Sequence, residues 1–160
     1  LNKLKTLIVI INKADLIKNE IKTRTKYFNY YFENLFSDIL IKPHFFSSIM
    51  EKSPEIFIKK ICSLDESTKI MIENRKLNAF LEKTNNSHRA PQKGHFRPKI
   101  KFLKQVNSRP IILKAFGTRL KGINTDYKNY FLKQFLSYFG IYNKVAIIKF
   151  VNNDNPFDKD

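Results

Sequence analysis

The run Leu7-Ile8-Val9-Ile10-Ile11 restricts the fold more than any other stretch of the chain. It holds five consecutive apolar residues, four of them β-branched. A strand with no polar face has to be covered on both sides, as in the parallel sheets of α/β domains. The sequence therefore predicts a buried strand over residues 5–11. Its apolar run is far short of the roughly 20 residues needed to cross a bilayer, and no small-residue cleavage site follows it, so it reads as neither a membrane span nor a signal peptide. A strand this close to residue 1 sets the expectation that the chain is a fragment.

Downstream, Tyr27, Tyr30, Tyr31, Asn34, Leu35, Asp38 and Ile39 recur at helical spacing, which predicts a helix over 25–40 with a mainly aromatic inner stripe. Ile39 to Phe46 is a second short apolar stretch. Ser53-Pro54-Glu55 is a helix start, with a Ser cap, Pro in the first position and an acid in the first turn. Ile58, Ile61, Cys62 and Leu64 form that helix's apolar face, and Cys62 is expected in the core. Strand, helix, strand, helix is the order of a doubly wound α/β domain.

The pattern changes near residue 66. A helix is predicted over 67–83 with Ile70, Met71, Leu77, Phe80 and Leu81 inward, then a polar linker over 85–94. Lys99-Ile100-Lys101-Phe102 alternates, which places Ile100 and Phe102 on one strand face and the lysines on the other. Ile111–Phe116 is a second strand, and 117–124 a loop. Tyr127, Tyr130, Phe131, Gln134, Phe135, Tyr138 and Phe139 follow one helix face, which reads as core and ends at Gly140. Lys144–Val151 is a third strand. The whole chain thus reads as α/β over 1–66 followed by α+β over 67–160. The second unit runs helix-strand-strand-helix-strand around a three-stranded sheet.

Charge is distributed unevenly between the two. The 160 residues carry 30 Lys+Arg against 14 Asp+Glu, net +16. Lys outnumbers Arg 24 to 6, and Ile, Asn and Phe are abundant too, a set that AT-rich codon usage alone produces. Drift toward Lys does not, however, strip carboxylates from one window. Residues 91–150 hold 13 basic side chains and one acidic, Asp126, while residues 1–90 are near balance at net +6. That window predicts a polyanionic partner. With 42% hydrophobic residues the chain can also bury a core. The single Cys excludes a disulfide scaffold and a Cys-based zinc site, and His44, His88 and His95 lack a ligand set for any other metal.

Asn12-Lys13-Ala14-Asp15 directly follows the first strand. A carboxylate there can accept the N1 and N2 hydrogens of guanine, a donor pair that adenine lacks. The stem of Lys13 can lie over the base, and Asn12 can tie the loop to its neighbours. Strand ends are where nucleotides sit in open α/β sheets. The plainer reading of the four residues is a turn capping the next helix. No pair of carboxylates is placed for acid/base catalysis.

In these residues the chain resembles the Der (EngA) GTPase family. Asn12-Lys13-Ala14-Asp15 resembles the base-specificity motif of that family's second GTPase domain. Phe46-Ser47-Ser48 resembles its Ser-Ala motif, whose backbone N–H contacts guanine O6, with Ser48 where Ala is usual. Leu77-Asn78, Lys99-Ile100-Lys101-Phe102 with Gln105, Arg109-Pro110, Tyr127, Tyr130 and Leu132, Phe139-Gly140 and Asn155-Pro156-Phe157 resemble later family motifs in order and spacing. The Thr usual before Leu-Asn and the Pro of the family's Gly-x-Pro are missing. Nothing matches G-x-x-x-x-G-K-[ST], the loop that grips phosphates.

The resemblance implies that residues 1–66 are the C-terminal portion of a P-loop-type GTPase domain and 67–160 a KH-like domain. It implies guanine binding by Asn12, Lys13, Asp15, Ser47 and Ser48. GTP or GDP with Mg would bind the complete protein, with none held tightly and no GTP hydrolysed by this chain alone. It further implies a cytoplasmic protein acting on rRNA in large ribosomal subunit assembly, with its GTPase domains as intramolecular partners and no membrane contact. Ordinary KH domains clamp nucleotides with a G-x-x-G loop. No two glycines here are so spaced, which argues against the related Era family. Basic side chains remain as the RNA-binding candidates: Lys99, Lys101, Lys104, Arg109, Lys114, Arg119, Lys121, Lys128 and Lys133. The alternatives are an isolated KH-like RNA-binding module and a non-functional remnant, both without nucleotide.

Overall fold

A computed structural model describes residues 7–36, 38–49, 54–66, 70–92 and 95–152. Residues 5–6 of the first predicted strand, the Ser53 cap, the first residues of the predicted 67–83 helix, Gly94 and Asn155-Pro156-Phe157 lie outside the described residues. So do the side chains of Asn34 and Leu64.

The first unit runs β1 (Ile10–Ile11), α1 (Ile21–Leu35), β2 (His44–Phe45) and α2 (Pro54–Glu66). β1 and β2 pair in parallel, Ile10 against His44 and Ile11 against Phe45, as the apolar run required. α1 is earlier and shorter than predicted, and its aromatic stripe is the wrong one. Tyr27, Tyr30 and Tyr31 are each about 70% exposed. Phe28 and Phe32 turn inward instead, stacked on each other at 4.1 Å and packed with Phe36 on Ile39, Ile41 and Val145. Both faces are aromatic, but burying Phe leaves no hydroxyl to satisfy. The expected burial of Cys62 is also corrected. Its thiol is exposed, as is Ile58.

The second unit comprises α3 (Asn74–Ser87), β3 (Lys99–Ser108), β4 (Ile111–Thr118), α4 (Thr125–Tyr138) and β5 (Ala146–Asn152). Its sheet has the order β3-β4-β5, antiparallel between β3 and β4 and parallel between β4 and β5. α3 and α4 supply one wall of the core, with Phe80 edge-on to Phe131 and Phe135 at 5.3 and 5.7 Å. Ile100, Leu103, Leu113, Ala115 and Ile148 supply the other. The predicted helical stripe is core at Tyr127, Phe131 and Phe135, all buried, whereas Gln134 and Tyr138 of the same predicted face are exposed.

Helix ends follow local chemistry. The Asn124 side chain accepts the Tyr127 N–H at 2.9 Å, capping α4. At its other end Gly140 takes a left-handed φ of 61°, and the Ile141 N–H returns to the Leu136 carbonyl at 2.8 Å.

Two expectations fail for long-range reasons. α3 begins at Asn74, and residues 70–73 are not helical; Ile70 and Ile72 pack on the core while Met71 is 65% exposed. The buried Gln105 amide holds this segment, donating to the Ile70 carbonyl at 2.6 Å and accepting the Ile72 N–H at 2.9 Å. The strict alternation of 99–102 is broken as well. Ile100 pairs with Gly117 but Phe102 with Phe116, a register shift that leaves Lys101 as the extra residue. Consecutive β4 residues face opposite ways, so Ile100 points into the core and Phe102 away from it.

The units meet along residues 38–42. Ala146 donates to the Asp38 carbonyl at 3.0 Å and Asn143 to the Leu40 carbonyl at 2.6 Å. Ile147 joins the apolar cluster of Ile39, Ile41 and Val145.

Candidate functional site

The parallel pair β1–β2 brings two loops together at its carboxyl end. The Phe46 N–H donates to the Ile11 carbonyl at 2.9 Å, and the Ala14 N–H returns to the Phe46 carbonyl at 3.0 Å. The chain leaves β1 through Lys13 in a left-handed conformation, φ 61°, and Asn12 Oδ1 accepts the Lys13 N–H at 2.7 Å. A short 3₁₀ turn, Ala14–Ile17, follows. It sets Asp15 against the buried Ser47, whose hydroxyl donates to Asp15 Oδ1 at 2.5 Å. One carboxylate oxygen is thereby fixed and Oδ2 is left to accept donors. Ser48 is exposed beside Ser47. Asn12, Lys13, Asp15, Ser47 and Ser48, far apart in sequence, thus share one strand-end site.

The nine basic candidates do not form a single patch. Lys104 lies directly opposite Lys114 across β3 and β4, and Lys99 opposite Thr118. All four positions face away from the helices, with exposed Lys101 at the bulge between them. Arg109 sits at the β3–β4 turn, which the Asn107 side chain ties by donating to the Arg109 carbonyl at 3.0 Å. Arg119, with φ 59°, lays its guanidinium 3.5 Å from the Phe96 ring centroid beside the turn that carries Lys121. Lys128 and Lys133 belong to α4, on the opposite layer.

The sequence reading missed other cations. Lys149 pairs with Lys114 across β4 and β5. It is the one charged residue of β5, with apolar residues on either side, and that isolation was its signal. Arg89 and Arg97 join Lys99 and Lys101 along a cleft of about 680 Å³ between α3 and β3. Among the described residues no cluster of His, Cys, Asp and Glu could hold a metal. None of the described helices is long and apolar enough to cross a membrane.

Comparison with known proteins accords with this geometry. The family described as "KH-domain-like of EngA bacterial GTPase enzymes, C-terminal" matches residues 71–154. Over 159 residues the chain is 25% identical to the GTPase Der of Rickettsia canadensis (strain McKiel), covering 98% of this chain and 36% of that protein. It is 26% identical over 158 residues to the GTPase Der of Orientia tsutsugamushi (strain Boryong), covering 98% and 35%. It is 27% identical over 159 residues to that of Rickettsia prowazekii (strain Madrid E), covering 98% and 36%. The chain spans about a third of the length of these relatives.

Proposed function

We propose a function from one premise: the chain belongs to the family of KH-domain-like C-terminal domains of EngA bacterial GTPases. On this reading it is the rRNA-binding C-terminal part of a Der-like GTP-binding protein of the cytoplasm, acting in large ribosomal subunit assembly. Residues 67–160 bind rRNA. Residues 1–66 supply the guanine-recognising end of a GTPase domain, completed by a phosphate-gripping loop and Mg that these 160 residues do not supply.

The observation that carries the reading is the concentration of charge on the KH-like unit. Between residues 91 and 150 Asp126 is the sole carboxylate against 13 basic side chains, and Lys99, Lys101, Lys104 and Lys149 are all exposed. Such a surface binds phosphate and releases counterions. With about 6 phosphate contacts, affinity for rRNA falls on the order of 10³-fold between 50 and 200 mM salt. Filter binding measures this directly, and a flat response overturns it.

The held carboxylate of Asp15 supports guanine selection, since Oδ2 remains free to take the N1 and N2 hydrogens. In a chimera of this chain with the upstream part of the Rickettsia prowazekii relative, Asp15→Asn shifts nucleotide preference from GTP toward XTP. An unchanged preference removes Asp15 from that role.

A further inference from the structure

The three-stranded sheet has a face that neither α3 nor α4 covers, and its side chains are ordered in rows. Lys104 is opposite Lys114, and Lys114 is opposite Lys149, so three lysines stand side by side across β3, β4 and β5. The next row is Phe102, Phe116 and Val151. Like charges directly opposite one another destabilise a sheet. Here three adjacent strands each contribute one, and among the described residues none of the three lysines pairs with a carboxylate.

The aromatic row has an equally specific origin. The bulge at Lys101 turns Phe102 out of the core and sets it beside Phe116, with the ring centroids 6.0 Å apart and both side chains partly exposed. Without that extra residue Phe102 would follow Ile100 inward.

A row of unpaired cations next to a pair of partly exposed aromatic rings fits a chain that carries both phosphates and unstacked bases. We propose that this sheet face is a platform for single-stranded RNA. Lys104, Lys114 and Lys149 hold the backbone, and Phe102 and Phe116 take bases in stacking contact. The proposal rests on the RNA-binding reading above and gives it a location and a substrate form. It also accounts for a missing part, because the chain lacks the G-x-x-G loop by which KH domains usually clamp a single strand. A helical duplex keeps its bases stacked inside and offers the rings nothing.

The test uses the full chain, a mixed-sequence 20-nucleotide RNA and the corresponding RNA duplex, titrated at several salt concentrations. The single strand binds more tightly than the duplex. Lys104→Gln, Lys114→Gln and Lys149→Gln together flatten the salt slope for the single strand by about 2, at roughly 0.7 per phosphate contact. Lys22→Gln with Lys26→Gln, exposed on α1, leaves that slope unchanged. Phe102→Leu and Phe116→Leu each weaken single-strand binding roughly 10-fold without altering the slope. Phe102→Tyr and Phe116→Tyr restore it, which separates stacking from a folding defect.

Steep RNA binding by the parent chain that survives both the lysine and the phenylalanine substitutions overturns the platform while leaving the RNA-binding reading intact. That is also the result if a protein covers this face. Failure of the parent chain to bind either RNA overturns both. Tighter binding of the duplex, indifferent to the Leu variants, overturns the stacking assignment.

Discussion

Asn143 grips the main chain of Lys42 by both its edges. Its Oδ1 accepts the Lys42 N–H at 2.8 Å, and its Nδ2 donates to the Lys42 carbonyl at 3.2 Å. The two residues lie 101 positions apart and join the two units of the chain. Asn143 itself is buried and holds a φ of 62°, a conformation that Asn tolerates better than other non-glycine residues. Its amide and its backbone therefore serve one junction.

The junction separates two contributions. Asn143→Ala loses both hydrogen bonds and adds left-handed strain, for an expected cost of about 2–3 kcal/mol. Asn143→Gly loses the bonds but relieves the strain, and is expected to be about 1 kcal/mol less destabilising than Ala. Urea unfolding of the two variants gives the ranking. Equal stabilities would mean that the backbone conformation contributes nothing.

Gln105 offers a pH-dependent test of the same kind of amide clamp. Its Nε2 donates to the carbonyls of Ile70 and Asn107, at 2.6 and 3.1 Å. Gln105→Glu replaces that donor with an acceptor. Burial favours the neutral acid, so the folded-state pKa of the new carboxyl rises above its unfolded value. The variant is thus closest to the parent at or below about pH 4, where the acid is protonated and can donate. It loses stability as pH rises through the folded-state pKa. Unfolding midpoints from pH 4 to 7 show this as a widening gap, and a constant gap rules out the donor role.

Tyr127 acts at the alkaline end. Burial, with a smaller contribution from the neighbouring Tyr130 phenolate, pushes its phenol up from 10.0 to about 12. Its hydroxyl donates to the His88 carbonyl at 3.3 Å. Below pH 10 both folded and unfolded forms keep the proton. Between 10 and about 12 the unfolded chain gives it up first, so stability falls with rising pH. The loss approaches roughly 2–3 kcal/mol by the top of that window. Tyr127→Phe is less stable at pH 8 by about 1 kcal/mol but lacks this decline, so the two stability curves converge above pH 10. Parallel curves would show that the phenol titrates normally.

What could be read in advance was local. The five-residue apolar run announced the parallel strand. Tyr127, Phe131 and Phe135 announced their own burial, and the Asn12–Asp15 and Ser47–Ser48 stretches announced the two loops that share a strand end. What could not be read depended on partners distant in sequence. Tyr and Phe stripes coexist on α1, and Ile39, Ile41 and Val145 decide between them. Ile70 to Glu73 falls inside the predicted helix, yet it is not helical, and an amide some thirty residues away holds its main chain. Lys149 gains its meaning only from Lys114 beside it. The bulge at Lys101 depends on the opposite residue, Gly117, which has no side chain to obstruct it.

Gly117 and Gly140 are required for different reasons, and the same substitution distinguishes them. A Cβ on Gly117 would collide with the Lys99 carbonyl oxygen and approach the Ile100 Cα at 3.0 Å, both main-chain atoms that cannot swing aside. Gly117→Ala must therefore part β3 from β4 where the register shifts. The expected cost is at the upper end of overpacking, about 3 kcal/mol, and Phe102 loses its place beside Phe116. At Gly140 an added Cβ meets nothing within 4 Å, but the residue sits at φ 61°. Gly140→Ala is expected to cost only about 1 kcal/mol of left-handed strain, and Gly140→Asn less, because Asn is the next most common residue at this helix-ending position. The two sites are independent in kind as well as in size. An Asn at 117 is at least as damaging as Ala, whereas at 140 it is milder. Thermal unfolding of the four variants decides the matter, and a rescue by Asn at 117 would show that conformation, not space, sets that position.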